Sequence, residues 1–370
     1  MNQLMKAWVL HNINQFYLET IPIPQLRKKE VLVSVKAAGI CGSDIPRIYQ
    51  TGTYSYPLIP GHECSGIVEK LGEQADKKWQ GKRVGIFPLI PCMTCIFCQK
   101  KQYELCRNYS YLGSRRNGGF AEYIAVPEDN LIELPEQISN REAAILEPMA
   151  VAAHAIRRIL FSIKNPAAEN LSNNNTIPNY IVIYGLGTIG MSILLFLINE
   201  NNNNKFQKII AVGNKELQKQ TVLKIGLPKE YYCDSQKEDV KQWILERTEG
   251  RGANIVFECI GKNLSIAQAV AVAAPLGRVC LVGNPYTDIR LEKAIYGKIL
   301  RNQLIITGIW NSSFTHQLED DWHYVIEQII QKKVKPDLLI SHQFTLEELE
   351  KGIQIIREKS QDYLKIIMNN

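Results

Sequence analysis

Long apolar runs are missing from this sequence. The longest, such as MSILLFLI at 191–198, fall well short of the roughly 20 residues that cross a bilayer, so no membrane partner is expected. The first residues, MNQLMKAWVL, lack both the basic n-region and the apolar h-region of a secretory signal, and a reduced, cytoplasmic chain is expected. Basic blocks are missing too. Forty-three Lys and Arg against 37 Asp and Glu leave a net charge of +6, dispersed without aromatic interleaving, which favours an anionic small substrate over nucleic acid. There is no internal repeat. The one low-complexity tract, NENNNNK at 199–205, reads as a solvated loop between a helix and a strand.

What is present suffices for two domains, with 370 residues and an apolar fraction of 45%. The first 130 residues carry short alternating stretches, EVLVSVKAAG and HECSGIVEKLG among them, broken by glycine and proline; this predicts a mostly antiparallel β domain. Over 141–160, REAAILEPMAVAAHAIRRIL, the apolar positions recur at helical spacing. The polar KNPAAENLSNNNTIPN at 164–179 then reads as a surface connection into a different kind of domain.

That second domain opens with YIVIYGLGTIGMSILLFLI, which sets Gly185, Gly187 and Gly190 between an apolar strand and an apolar helix. Glycines there permit a tight turn and let the backbone approach a pyrophosphate at the helix N-terminus. Another apolar strand, KIIAVG, follows about 20 residues on, and NIVFECIG (254–261) and GRVCLVGN (277–284) alternate with helical stretches. A parallel, doubly wound sheet is the economical reading; the alternative is a glycine turn that serves packing alone.

Nine cysteines are unevenly spread. PCMTCIFCQKKQYELC at 91–106 holds four of them, Cys92, Cys95, Cys98 and Cys106, in the spacing C-x2-C-x2-C-x7-C. Thiols so placed can converge on one tetrahedral centre, a closed structural zinc site, whereas a disulfide clasp needs an oxidising compartment and a redox pair needs only two. GICGSDIPR and PGHECSG supply Cys41, His62 and Glu63, and a thiolate with an imidazole is half of a catalytic zinc site. Glu147 lies in the apolar ILEPMAVAAHA, where a buried carboxylate favours a cation as its neighbour. Taken singly, these four also fit a core cysteine, a satisfied core histidine and helix-capping acids.

GICGSD, PGHE, the cysteine lobe, GGFAEY, LEP and GLGTIG occur in the order found in the zinc-containing medium-chain dehydrogenases, which the chain resembles over nearly its whole length. Within that family, CGSDIPRIYQTGTYSYP, GSRRNGGFAEYI and YGKILRNQLIITGIWNSS resemble the polyol dehydrogenase group, in particular its galactitol-phosphate branch. The resemblance implies an α/β chain with a GroES-like β catalytic domain over 1–155, a Rossmann nicotinamide-binding domain over 156–311 and a return to the catalytic domain over 312–370. It implies an active site in the cleft between the domains and a homodimer or homotetramer built on the Rossmann sheets. Two zinc ions per chain are implied. Cys41, His62 and Glu147 would hold the catalytic one, with Glu63 as an alternate, and Cys92, Cys95, Cys98 and Cys106 the structural one.

By the same resemblance, Ser43 would accept the proton of a secondary alcohol whose carbon gives hydride to the nicotinamide. Many relatives place a proton-relay histidine where this chain has Pro46, which implies an exit through Glu63 or Glu147. Cys64, Cys233, Cys259 and Cys280 match no ligand position and read as small core residues.

NAD-binding Rossmann domains end their second strand in an acid that pairs with the adenosine ribose. Here Gly213 stands in that place, followed by Asn214 and Lys215, which opens space and adds a donor and a positive charge suited to the 2′-phosphate of NADP(H). The alternative is a surface lysine beside a permissive NAD pocket. A phosphorylated substrate needs cations near the pocket, and the candidates are Arg47, Arg115, Arg116, Lys298 and Arg301. The expected activity is hydride transfer between NADP(H) and a polyol phosphate or ketose phosphate, a small-molecule partner. Alternatives are a zinc dehydrogenase of unphosphorylated sugar alcohols or simple secondary alcohols, and a nicotinamide-binding protein without catalysis.

Overall fold

The computed structural model describes residues 3–161, 179–201 and 207–370. They divide into two units, 1–150 with 312–370 and 151–311, and the first boundary falls inside the helix Leu146–Phe161. The connection expected at 164–179 and the loop expected at 199–205 lie outside the described residues, except that Asn179 opens a strand and the helix Thr188–Asn201 takes up 199–201. Among the described residues no helix is long and apolar enough to cross a membrane.

The first unit begins with a hairpin of β1 (Leu4–Asn12) and β2 (Gln15–Pro22). It continues with β3 (Glu30–Ile40), β4 (Glu63–Leu71), β5 (Arg83–Ile86), β6 (Leu89–Ile90), β7 (Ser110–Tyr111), β8 (Tyr123–Pro127) and β9 (Leu131–Glu133). The second unit holds β10 (Asn179–Tyr184), β11 (Gln207–Gly213), β12 (Tyr232–Asp234), β13 (Ala253–Glu258), β14 (Ala273–Leu281) and β15 (Ile305–Gly308). The chain then returns β16 (Ile340–Thr345) and β17 (Lys365–Asn369) to the first.

In the first unit the sheet order is β16-β17-β3-β4-β5-β9, and only the β16–β17 pair is parallel. β3 is its centre. β4 flanks most of its length, β8 takes residues 30–34 and β17 residues 37–40, all antiparallel. The alternation in EVLVSVKAAG is therefore not an alternation of exposure: every residue of β3 except Lys36 is buried. A strand with neighbours on both edges and side chains covered on both faces reads as continuously buried. The C-terminal return closes the core. Phe314 and Trp322 set their rings 5.2 and 5.7 Å from that of Phe87, and Leu349, Ile353 and Ile356 join Trp8, Val33 and Val35 in one apolar cluster.

One buried ion pair crosses this sheet. Glu63 opens β4 and Lys365 opens β17, on either side of β3. The Lys365 ammonium donates to both Glu63 carboxylate oxygens at 2.8 and 2.6 Å and to the Ile40 carbonyl at 3.1 Å. The carboxylate lies across Gly39 of β3, where a Cβ would come within 2.0 Å of Glu63 Oε2, so only glycine lets the pair close.

The second unit is a six-stranded parallel sheet in the order β12-β11-β10-β13-β14-β15. The chain winds outward from β10 to β12, then restarts at β13 on the other side of β10, so the strand order switches between β10 and β13. In such sheets, ligands lie outside the strand C-termini at that switch. Val182, Tyr184, Ile210, Val212, Val256 and Val279 form its core.

Because both members of the Glu63–Lys365 pair are almost fully buried, Lys365→Ala would leave a carboxylate uncompensated in the core. The expected loss is about 3–5 kcal/mol, read as a fall in the urea midpoint. An unchanged midpoint would remove the pair from the account of the fold.

Candidate metal centres and coenzyme loop

The four thiols of the cysteine lobe converge. Cys95 and Cys98 Sγ are 3.5 Å apart, Cys92 and Cys98 Sγ 3.9 Å, and all four sulfurs lie within 4.8 Å of one another. None is in a disulfide. Thiolates bound at about 2.3 Å to a tetrahedral centre stand about 3.8 Å apart, so the spacing fits a single zinc ion. The turn is set by Met93 in the left-handed region (φ 59°) and by the short helix Ile96–Gln99 that begins after Cys95. Hydrogen bonds from Thr94 draw the Cys92 thiol down to about 6, while burial pushes Cys98 up to about 12.

A second group forms where β3 ends and β4 begins. Cys41, His62 and Glu63 each bring a ligand atom within 4.8 Å of the others. Beneath them lies Asp44, fully buried, accepting from the Cys41 backbone N–H at 3.0 Å and from Arg47 at 2.5 Å, with His62 Nδ1 3.5 Å away. Burial would lower the His62 pKa, but the Asp44 carboxylate outweighs it and holds the imidazole well above its ordinary value. With Nδ1 turned to Asp44, Nε2 is the nitrogen left for a metal. The Ser43 hydroxyl donates to Cys41 Sγ at 3.3 Å. Pro46 sits inside the helix Asp44–Tyr49.

Glu147 occupies the first turn of the helix Leu146–Phe161, is 7% exposed, and accepts from the Tyr111 hydroxyl at 3.3 Å. It lies outside the tight trio, and burial pushes it up to about 7. Tyr111 in turn packs on His62, ring centroids 5.8 Å apart. Glu63, expected as an alternate ligand, has both oxygens engaged by Lys365. The donor set fits zinc: a thiolate, an imidazole oriented by a carboxylate, and a buried carboxylate whose hydroxyl partner carries no charge.

The phosphate candidates separate. Arg47 is paired with Asp44 and Arg116 with Glu30, and Lys298 donates to the Ala271 carbonyl, its pKa lowered by burial. These three charges are turned to internal partners. Arg301 is exposed in the second unit, in the same helix as Lys298. Arg115 is held differently, its guanidinium 4.4 and 4.3 Å from the ring centroids of Tyr54 and Tyr109. It donates to the Tyr109 carbonyl at 2.7 Å and the Tyr54 hydroxyl at 3.3 Å, and its Nε is buried without a partner. Tyr109 meets Tyr111 edge-on at 6.3 Å, so Arg115 stands two rings from His62.

In the second unit each glycine of the loop after β10 answers a different constraint. Gly185 has φ +87°, a Cβ on Gly190 would lie 2.0 Å from the Gly185 carbonyl oxygen, and a Cβ on Gly187 would meet nothing within 4 Å. That is a cradle, open at Gly187, for a pyrophosphate at the head of the helix Thr188–Asn201. The space expected at Gly213, the end of β11, is not open. Gln218 Oε1, Leu186 Cδ1 and Tyr232 Oη all lie 2.9 Å from where its Cβ would be, because Gln218 folds back over the strand end. Cys64, Cys233 and Cys280 are buried core residues and Cys259 is half-buried.

Asp44, Tyr111, Lys365 and Gln218 were not singled out from the sequence. Asp44 stands inside the CGSD motif and Lys365 is a lone charge in the apolar LKIIM, the same signal that marks Glu147. Tyr111 and Gln218 have no local signal.

Residues 27–136 match the alcohol dehydrogenase GroES-like domain, and residues 202–331 match the zinc-binding dehydrogenase family. Galactitol 1-phosphate 5-dehydrogenase of Escherichia coli K12 is 30% identical over 341 residues, covering 90% of this chain and 91% of that protein. Sorbitol dehydrogenase of Halalkalibacterium halodurans is 28% identical over 370 residues, covering 98% and 99%. The crystal structure of galactitol-1-phosphate dehydrogenase from Escherichia coli matches with a TM-score of 0.83 at 28% identity, over 99% of this chain and all of that one. The chain belongs to the zinc-containing medium-chain dehydrogenases, in their polyol dehydrogenase group, and is a zinc-dependent, NAD(P)-dependent oxidoreductase.

Proposed function

We propose that this enzyme moves hydride between NADP(H) and the secondary alcohol or ketone carbon of a polyol phosphate or ketose phosphate. The observation that carries the phosphate is Arg115, a cation clamped between two tyrosines, with a buried unpaired N–H, two rings from His62. The similarity to galactitol 1-phosphate 5-dehydrogenase supports it. Zinc, when bound by Cys41, His62 and Glu147, supplies a Lewis acid for the substrate oxygen. The chain's own groups do the rest. Asp44 faces His62 Nδ1 at 3.5 Å, Lys365 neutralises Glu63, and the Ser43 hydroxyl, beside Cys41 and half-buried, relays the proton: in oxidation it accepts the alcohol proton as its own passes to solvent water, and in reduction the transfer runs in reverse. Pro46 has no atom that carries a proton onward. NADP(H) is favoured because the end of β11 bears no carboxylate to repel a 2′-phosphate.

A closed site at Cys92, Cys95, Cys98 and Cys106 takes the second zinc, and nine free thiols suit a reducing cytoplasm. A second copy of the chain covers the edge strand β15. Ile305 and Ile306 on that edge are 49% and 39% exposed, and Leu276, Tyr296 and Leu300 are exposed as well. An apolar edge left open invites pairing.

Metal analysis should return two zinc ions per chain, one lost in Cys98→Ser. Ser43→Ala should keep both while turnover falls by about 10²-fold or more; unchanged turnover removes Ser43 from proton transfer.

NADPH oxidation should be seen with phosphorylated ketoses. Arg115→Ala should raise KM for them at least about tenfold and leave unphosphorylated ketoses untouched. Activity confined to free sugars or simple ketones would instead favour the dehydrogenases of unphosphorylated alcohols.

Light scattering should give a dimer or tetramer, and Ile305→Lys with Ile306→Lys should reduce it to smaller species; a monomeric parent chain would refute the covered edge.

A further inference from the structure

The end of β11 is occupied where other Rossmann sheets place a coenzyme-reading acid. Gln218, 7% exposed, accepts from the Asn214 backbone N–H at 2.9 Å through Oε1 and donates to the Leu186 carbonyl at 3.1 Å through Nε2. Leu186 lies within the glycine loop after β10, and Asn214 directly follows β11. β10 and β11 are parallel neighbours, so one carboxamide ties together the two loops at adjoining strand C-termini, where a dinucleotide's adenosine half lies. Its oxygen stands 2.9 Å from the Cβ that Gly213 lacks, at the root of the missing carboxylate. An aspartate at 213 would collide with Gln218 Oε1, Leu186 and Tyr232.

We infer that Gln218 is a specificity-determining residue for the coenzyme: its neutral carboxamide fills the acid's place and holds the two loops together without presenting a negative charge to a 2′-phosphate. Neutrality is the point. A carboxylate of the same shape could still accept from Asn214 N–H, but it would set a like charge against the phosphate and face the Leu186 carbonyl without a proton to donate. The inference rests on the NADP(H) reading above and adds the residue that enforces it.

Dissociation constants for NADPH and NADH, measured by fluorescence titration on the zinc-loaded enzyme without substrate, test it together with melting temperatures. The parent should bind NADPH more tightly. Gln218→Glu should weaken NADPH at least about tenfold and change NADH by less than about threefold. A parallel loss of both coenzymes, or an unchanged ratio in a folded variant, would overturn the role of Gln218 and leave the NADP(H) reading standing. A parent that prefers NADH would overturn both. Should Gln218→Glu fail to fold, Gln218→Met decides: it is neutral and of similar length, so the NADPH-to-NADH ratio should stay within about threefold of the parent, and a tenfold swing toward NADH would sink the charge argument.

Discussion

Charge that has been taken out of water must be answered within the protein, and this constraint organises the catalytic unit. Asp44, Glu63 and Glu147 are all buried near Cys41 and His62. Asp44 is answered by Arg47 and Glu63 by Lys365, through direct bonds, whereas Glu147 and Cys41 are met by the hydroxyls of Tyr111 and Ser43, which carry no charge. The groups without a cation bonded to them are those proposed as zinc ligands. Much of the architecture follows from completing the compensation elsewhere. Lys365 reaches Glu63 only because β17 adds to β3, and the reach across β3 is open only because residue 39 has no side chain. The return of the chain to the first unit after the Rossmann sheet is thus an electrostatic necessity of the site as well as a packing event.

What could be read from the sequence was local. Four thiols inside fifteen positions announce a cluster that the turn at Met93 and the short helix Ile96–Gln99 close, and three glycines between an apolar strand and an apolar helix announce their turn. Four strands of the parallel sheet, β10, β11, β13 and β14, were legible as short apolar runs between helical stretches, whereas the outer strands β12 and β15 were not singled out. Pairings made by the completed fold were not. Glu63 and Lys365 are 302 positions apart, and Arg116 and Glu30 are 86 apart. Asp44 and Arg47, by contrast, are spaced by one turn of the helix Asp44–Tyr49, so their pairing is local. β3 shows the limit of pattern from the other side: its alternating composition suggests one wet face, yet its neighbours bury both.

Glycine carried three meanings here, and only the surroundings separate them. Gly185 supplies a left-handed turn, Gly190 and Gly39 admit a close approach, and Gly187 leaves a real opening. Gly213 resembles the last in sequence and differs in fact, because Gln218 returns from the following helix to fill the gap. A missing side chain is evidence of space only when nothing else has moved in.

The arginines obey a related distinction, between being held and being neutralised. A cation that recognises an anionic substrate must be fixed, or ordering it costs the affinity it brings, yet its charge must stay uncompensated. Arg47 and Arg116 are fixed by carboxylates and so have little left to give. Arg115 is fixed by the faces of Tyr54 and Tyr109 and by a carbonyl and a hydroxyl, partners that orient a guanidinium without cancelling it. The adjacent arginines of GSRRNGG are therefore held in opposite ways: Arg116 ties the loop to the sheet through the Glu30 carboxylate, and Arg115 is oriented by rings, a carbonyl and a hydroxyl alone.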